Sequence, residues 1–292
     1  KGSISDRHPL SLGVPRRTPD ALSEHFQECD VVLAVGTRFA EAPIIESQTI
    51  IQIDVDPSEL GRNHPNTLGV LGDAKAALQQ IIQGLSNNDY QTTPKEDFFE
   101  DIREQRRSQA KNTQPQGEFI RVIREVMPDD GILISGMTQV GYYSRWAFPV
   151  FEPRTYLTSS YYGNLGYAYP TALGAKVAQP ERAVVAVSGD GGFLFNSQEL
   201  ATAAMYGINV VVIVFNDNAF GNVYRDQKNR FEGRVIGSQL KNPDFVKLAE
   251  AYGVEGFLAK DAEELKTVLG IALTRTNPTL IEVPVGMMPY PF

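Results

Sequence analysis

The sequence is short of the residues that build several kinds of site. It has a single cysteine in 292 residues, Cys29, so no internal disulfide can form, and the residue reads as a small buried hydrophobe ahead of a strand. Its three histidines, His8, His25 and His64, are scattered, and no set of Cys and His large enough to close a zinc site lies at ligand spacing. No apolar run reaches the roughly 18 residues that a membrane-spanning helix needs, and the opening KGSISDRHPLSLG lacks the apolar stretch of a secretory signal. No membrane partner and a reducing, cytoplasmic setting are therefore expected. Positive charge is scarce too: 27 Lys and Arg against 35 Asp and Glu leave a net charge of −8, which argues against a nucleic-acid partner. The densest basic cluster, Arg103, Arg106 and Arg107, falls in a polar, acid-containing stretch and reads as a solvated helix face.

What is present is enough apolar residue, 42% of the chain, to bury ordinary cores, over a length that suits two domains. Residues 31–36 (VVLAVG) and 50–55 (IIQIDV) are short β-branched runs bounded by Gly, Pro and Asp, as buried parallel strands are. With helices near 19–28 and 74–84 they make a small α/β domain over 1–85. This domain begins without a strand of its own, as though N-terminally incomplete. Residues 86–116 turn polar and read as a linker with a helix at 95–111. From 117 to 292 the alternation resumes, with strands at 131–135, 183–188, 209–215 and 279–283 and helices at 117–127, 170–179, 197–206, 243–252 and 261–274. The fold class is α/β, with two doubly wound parallel-sheet domains.

In open sheets of this kind ligands gather beyond the carboxyl ends of the strands. Strand 183–188 runs into Gly189-Asp190-Gly191-Gly192, and the following helix is expected to open near Asn196-Ser197 with free N–H groups for an anion. Strand 209–215 ends at Asn216-Asp217-Asn218, and a single right-handed crossover between the two makes them parallel near neighbours, so that Asp190 and Asp217 face one point. Two oxygen ligands beside a glycine-lined anion site suit Mg²⁺ held with a diphosphate. Strand 131–135 leads into Ser135-Gly136-Met137-Thr138-Gln139, whose hydroxyl and amide groups face the same place. The segment Ser159-Ser160-Tyr161-Tyr162-Gly163-Asn164-Leu165-Gly166 is expected to line the pocket. Taken singly, GDG is an ordinary turn and Asn-Asp-Asn an ordinary loop; their order and spacing make the signal.

The run GDGGFLFNSQELATAAMYGINVVVIVFND resembles the thiamine diphosphate signature of the acetolactate synthase and 2-oxo acid decarboxylase superfamily. IIQIDVDPSELGRNHP is similar to that family's central domain, and YYGNLGYAYPTALGAKVAQP to the segment ahead of its GDG, so the likeness covers nearly the whole chain. It implies thiamine diphosphate and Mg²⁺ as cofactors, with the side chains of Asp190 and Asp217 and the carbonyl of Ala219 as metal ligands. The commoner residue at position 217 is Asn. The likeness also sets the Gly163 carbonyl against the cofactor's aminopyrimidine and wedges Leu165 between its two rings. Gly136, Thr138, Gly189, Gly191 and Gly192 become diphosphate or cofactor contacts, and Phe220, Asn222 and Tyr224 face the substrate. Asp226 stands where acetolactate synthases carry a tryptophan near the substrate.

The implied reaction is decarboxylation of a 2-oxo acid, with or without joining the product to a second carbonyl compound. The implied assembly is a homodimer or homotetramer. In this superfamily the glutamate that activates the cofactor lies in a separate N-terminal pyrimidine-binding domain, which is not among these residues, so none of them is assigned a catalytic role and turnover is expected to fail without it. Gly36-Thr37-Arg38 and Asp54 stand where acetolactate synthases hold FAD, although relatives keep the fold without flavin and a spacer role is the plainer reading. Two other functions stay open. One is a non-catalytic, thiamine diphosphate-binding or regulatory subunit; the other is a nucleotide-dependent oxidoreductase using the first domain, which lacks the GxGxxG fingerprint.

Overall fold

Runs of β-branched residues become parallel strands in both of the units into which the chain divides, Pro15–Arg106 on one hand and Lys1–Val14 with Arg107–Phe292 on the other. The computed structural model describes residues 1–15, 20–40, 42–90, 95–160 and 162–290, with Ala110 described by its backbone alone.

The smaller unit contains α1 (Ala21–Glu28), β1 (Val31–Val35), β2 (Thr49–Asp54), β3 (Thr67–Leu71), α2 (Ala74–Asn87) and most of α3 (Glu96–Lys111). Its three strands are parallel in the order β1-β2-β3. Asp20 starts α1 through a capping box with Ser23, which satisfies N–H groups that the first turn leaves without helical partners. Three expectations change here. Arg106 is not on a solvated face: it is 8% exposed, and its Nε lies 3.2 Å from Asp20 Oδ2, so the cap's negative charge draws it inward. Strand β1 is not buried on both faces, because Val31 and Leu33 are exposed at 51% and 45% while Val32 and Ala34 point inward. Cys29 is only half-buried, its thiol donating to His25 O at 3.4 Å.

The larger unit holds α4 (Gln116–Val126), β4 (Ile132–Ser135), α5 (Gln139–Ala147), β5 (Tyr156–Thr158), α6 (Ala168–Ala178), β6 (Val184–Gly189), α7 (Asp190–Leu194), α8 (Glu199–Tyr206), β7 (Val211–Asn216), α9 (Gly221–Arg230), α10 (Phe245–Ala251), β8 (Glu255–Leu258), α11 (Ala262–Leu273) and β9 (Thr279–Pro284). Its six strands are all parallel in the order β5-β4-β6-β7-β9-β8. Both faces are covered, which is why the strands read as unbroken apolar runs rather than alternating ones. Val185, Val187, Ile213 and Phe215 pack with Phe119 and Ile123 of α4 and Leu265 and Leu269 of α11. Val184, Ala186, Val212 and Val214 pack on the other side with Leu173 of α6, Leu200 of α8 and Phe245 of α10.

Strand order reverses at β4: β5 lies on one side of it and β6 on the other, which opens a crevice beyond their carboxyl ends. The opening residues, expected to belong with 15–85, join the larger unit instead. Asp6 N donates to Val150 O and Val150 N to Asp6 Oδ2, both at 2.8 Å, and the Arg7 guanidinium pairs with Asp129 and lies 3.7 Å from the Phe151 ring centre. Among the described residues no helix is long and apolar enough to cross a membrane.

Candidate cofactor site

The crevice holds a cavity of about 240 Å³. Thirteen of the residues named in the sequence line it: Met137, Thr138, Gln139, Gly163, Leu165, Gly189, Asp190, Gly191, Gly192, Asp217, Ala219, Phe220 and Asn222. Parallel pairing of β6 with β7, in a register that sets Gly189 beside Phe215, brings the two strand ends together and with them Asp190 and Asp217. Gly136 and Tyr224 do not reach the cavity wall. A Cβ on Gly136 would lie 2.5 Å from Val187 O, so that glycine lets β4 pass close to β6. Tyr161 lies outside the described residues, while Gly163 and Leu165 of the same segment do line the cavity.

The helix after β6 begins earlier than expected. Asp190, Gly191 and Gly192 form the first turn of the short α7 with Gly189 as its N-cap, and α8 opens at Glu199 rather than near Ser197. Asn196, where that helix was expected to open, turns its side chain to donate to Gly166 O at 2.7 Å. Helix α5 also starts on the cavity. Its N-cap Thr138 lines the cavity, and the Thr138 hydroxyl makes no capping bond, so hydroxyl and first-turn N–H groups meet at one wall.

Asp190 is 2% exposed. Burial raises its pKa above the ordinary range, against hydrogen bonds from Asn242 and from the N–H groups of Gly191, Ala219 and Asn218 that favour the ionised form. Asp217 is pushed up to about 6, first by burial and then by the charge of Asp190. No Lys or Arg forms an ion pair with either carboxylate among the described residues. Asn218 takes φ 55°, a left-handed turn that Asn tolerates, and Ala219 N donates to Asp217 Oδ1 at 3.2 Å. The Ala219 carbonyl accepts no hydrogen bond from the described residues.

No three His, Cys, Asp or Glu side chains among the described residues gather as a metal cluster. A pair of carboxylates, one carbonyl and room for further oxygens nevertheless fits Mg²⁺, which keeps waters and phosphate oxygens in its shell. Close neighbours require glycine at two of these positions: a Cβ on Gly191 would meet the Phe220 ring at 2.5 Å, and one on Gly221 would meet Asp217 Oδ2 at 2.5 Å. Gly163 takes φ 57°, open to glycine at little strain. Leu165 leans in from the same loop, its Cδ2 3.6 Å from where a Gly192 Cβ would be.

Sequence reading missed Tyr142, Phe215, Gly221 and Val223 as lining residues, and Asn242 behind them. Tyr142 follows Gln139 by three positions, so recognition of α5 would have placed both on one face. Asn242 Nδ2 donates to Asp190 Oδ2 at 2.6 Å and to Asn216 Oδ1 at 2.7 Å, while Asn216 Nδ2 donates to Glu282 Oε1 at 2.7 Å. This chain of amides holds Asp190 from behind.

In the smaller unit the loop after β1 is tethered by Gln52 Nε2 to Thr37 O at 3.1 Å and Asn63 Nδ2 to Arg38 O at 2.7 Å. Arg38 and Arg62 share Glu59 there.

Residues 139–283 match the family described as thiamine pyrophosphate enzyme, C-terminal TPP binding domain, and residues 1–81 match thiamine pyrophosphate enzyme, central domain. Over 97% of its length the chain is 35% identical to the probable acetolactate synthase large subunit of Methanocaldococcus jannaschii, covering 51% of that protein. It is 31% identical to the acetolactate synthase large subunit of Parasynechococcus marenigrum, again over 97% of the chain and covering 48% of the relative. It is 32% identical to the probable 2-ketoarginine decarboxylase of Pseudomonas aeruginosa, over 97% of the chain and 52% of the relative. The chain thus spans about half the length of the curated relatives it matches.

Proposed function

Because the chain carries the central and C-terminal domains of the thiamine pyrophosphate enzymes and belongs to that family, we propose that its cavity binds thiamine diphosphate through Mg²⁺ and serves the decarboxylation of a 2-oxo acid. The observation that carries this reading is the pair Asp190 and Asp217, two raised-pKa carboxylates that line one cavity and form no close ion pair among the described residues, at the switch point of a parallel sheet. Asp190, Asp217 and the Ala219 carbonyl would hold the metal. Thr138, the start of α5 and Gly189 to Gly192 would hold the diphosphate, and Gly163 and Leu165 would orient the rings. When bound, the cofactor supplies a thiazolium carbon that adds to the substrate carbonyl and accepts the electrons released as carbon dioxide leaves. The protein's part is to fix charge and geometry and to keep water from the reacting carbon.

Relatives are named both for acetolactate synthesis and for 2-ketoarginine decarboxylation, and the structure bears on the choice. Asp226, where the resemblance places a substrate-side tryptophan, is exposed, pairs with Arg230 and does not line the cavity. Simple decarboxylation is therefore preferred to acetolactate synthesis. The activating glutamate is taken to come from a pyrimidine-binding domain, across a homodimer or homotetramer interface. The test is carbon dioxide release from a panel of 2-oxo acids, with thiamine diphosphate and Mg²⁺, by this chain alone and by a protein that also carries such a domain. Release only in the second case is expected; release by the chain alone would remove the need for the outside glutamate, and release by neither would contradict the reading.

A further inference from the structure

Asp190 is reached from behind the cavity wall by a line of side chains that do not themselves line the cavity: Asn242, Asn216 and Glu282. Each hydrogen bond in that line has one direction. The backbone N–H of Asn218 can only donate, and it donates to Asn216 Oδ1 at 3.2 Å, so that atom is an acceptor. Asn216 Nδ2 then faces Glu282 Oε1 at 2.7 Å, and Asn242 must turn its Nδ2 toward Asn216 Oδ1, also at 2.7 Å. The second hydrogen of the same Nδ2 goes to Asp190 Oδ2 at 2.6 Å. Asn242 Oδ1 is buried and unmet in this arrangement, so the amide is held through its two N–H bonds.

Backbone pairing delivers Asn242 to this place. Ala219 bridges Gln239 in antiparallel sense, with Phe220 N donating to Ser238 O and Leu240 N to Asn218 O, both at 2.8 Å. In such a pair the bonds belong to the flanking residues, which leaves the N–H and C=O of Ala219 directed away from the segment. Residues 238–242 thus fasten both carboxylate loops, the one after Asp217 by backbone and Asp190 by the Asn242 side chain. Resting on the proposed function, we infer that Asn242 is a positioning residue for the metal: it sets the Asp190 carboxylate, and Glu282, acting through Asn216, sets Asn242. A cation that demands near-octahedral oxygen ligands binds more tightly to a carboxylate already oriented than to one it must order.

The test uses the full chain with excess thiamine diphosphate and Mn²⁺ as the probe. Binding is read from the loss of the free-ion electron paramagnetic resonance signal, corrected for Mn²⁺ held by unbound thiamine diphosphate. Asn242→Leu, close in size and without the donors, is expected to weaken Mn²⁺ binding by about 10-fold or more. Glu282→Leu is expected to weaken it by about 3-fold or more, although Glu282 is separated from Asp190 by Asn216 and Asn242 and does not line the cavity. Glu282→Gln, whose amide oxygen still accepts from Asn216, is expected to bind within about 2-fold of wild type. A merely structural role would lower Tm and leave the Mn²⁺ affinity of the folded protein where it was. The two Glu282 variants serve if Asn242→Leu does not fold. Unchanged Mn²⁺ affinity in folded Asn242→Leu, or equal affinity in Glu282→Leu and Glu282→Gln, overturns the inference and leaves the proposed function standing. Wild type that takes up no Mn²⁺ with thiamine diphosphate overturns both.

Discussion

Asp217 sits beside Asp190 with its pKa pushed up to about 6, so its ionisation works against the metal-free fold. A carboxyl whose folded pKa lies above its unfolded value of roughly 3.9 contributes stability below that value and loses it as pH rises through the folded pKa. Asp217→Asn is therefore expected to raise Tm near pH 8 in the absence of divalent cations, with the gain vanishing toward pH 4. The same substitution is expected to weaken Mg²⁺ binding, because it removes the charge that the cation neutralises. Thermal unfolding across that pH range checks the first expectation, and a pH-independent Tm difference would contradict it. At this scale the two carboxylates that meet in the cavity were legible, since GDG and Asn-Asp-Asn stand where strands end. Gly136, expected as a cofactor contact, instead lies off the cavity wall, where Val187 O at 2.5 Å from any added Cβ requires a glycine. Asn242 was not legible: it reaches Asp190 from 52 residues further along the chain, and no local pattern marks it.

Strands β6 and β7 were plain in the sequence because both faces are covered and VVAVS and VVVIVF run apolar without interruption. The elements that escaped share the opposite property. Helix α9 buries no residue and so has no apolar stripe to detect. Strands β5 and β8 are short edges of the sheet, and β3 is interrupted by Gly69. Helix α5 buries Gln139, Gly141 and Ser144 along with its apolar residues, which blurs its period, and Ser144 donates to Gly141 O within it at 2.7 Å. The packing of α8 onto the sheet gives a prediction of its own. Leu200 is fully buried among Phe193, Val212 and their neighbours, and Leu200→Ala is expected to lower unfolding stability by about 2–5 kcal/mol, read from urea denaturation. A loss under about 1 kcal/mol would mean that α8 is not held by this core.

For the whole molecule, the two α/β units and the parallel direction of their sheets followed from alternation along the chain; the first fourteen residues, which match the central-domain family together with 15–81, make their contacts on the larger unit. That stretch has no element of its own, and it touches the larger unit through the Asp6 to Val150 bonds, the Arg7 contacts and Lys1 over the Tyr156 ring. The cavity that the proposed function uses, with Asp190 and Asp217 in its lining, lies wholly within the larger unit. The central claim is that thiamine diphosphate is held through Mg²⁺ on Asp190 and Asp217. Calorimetric titration of thiamine diphosphate into the wild-type chain and into Asp190→Ala, each with and without Mg²⁺, tests it most directly. The account predicts binding that needs the metal and falls at least about 10-fold in the variant, as removing a charged ligand to a bound ion should. Binding of equal strength with or without Mg²⁺, and unchanged in Asp190→Ala, would contradict it.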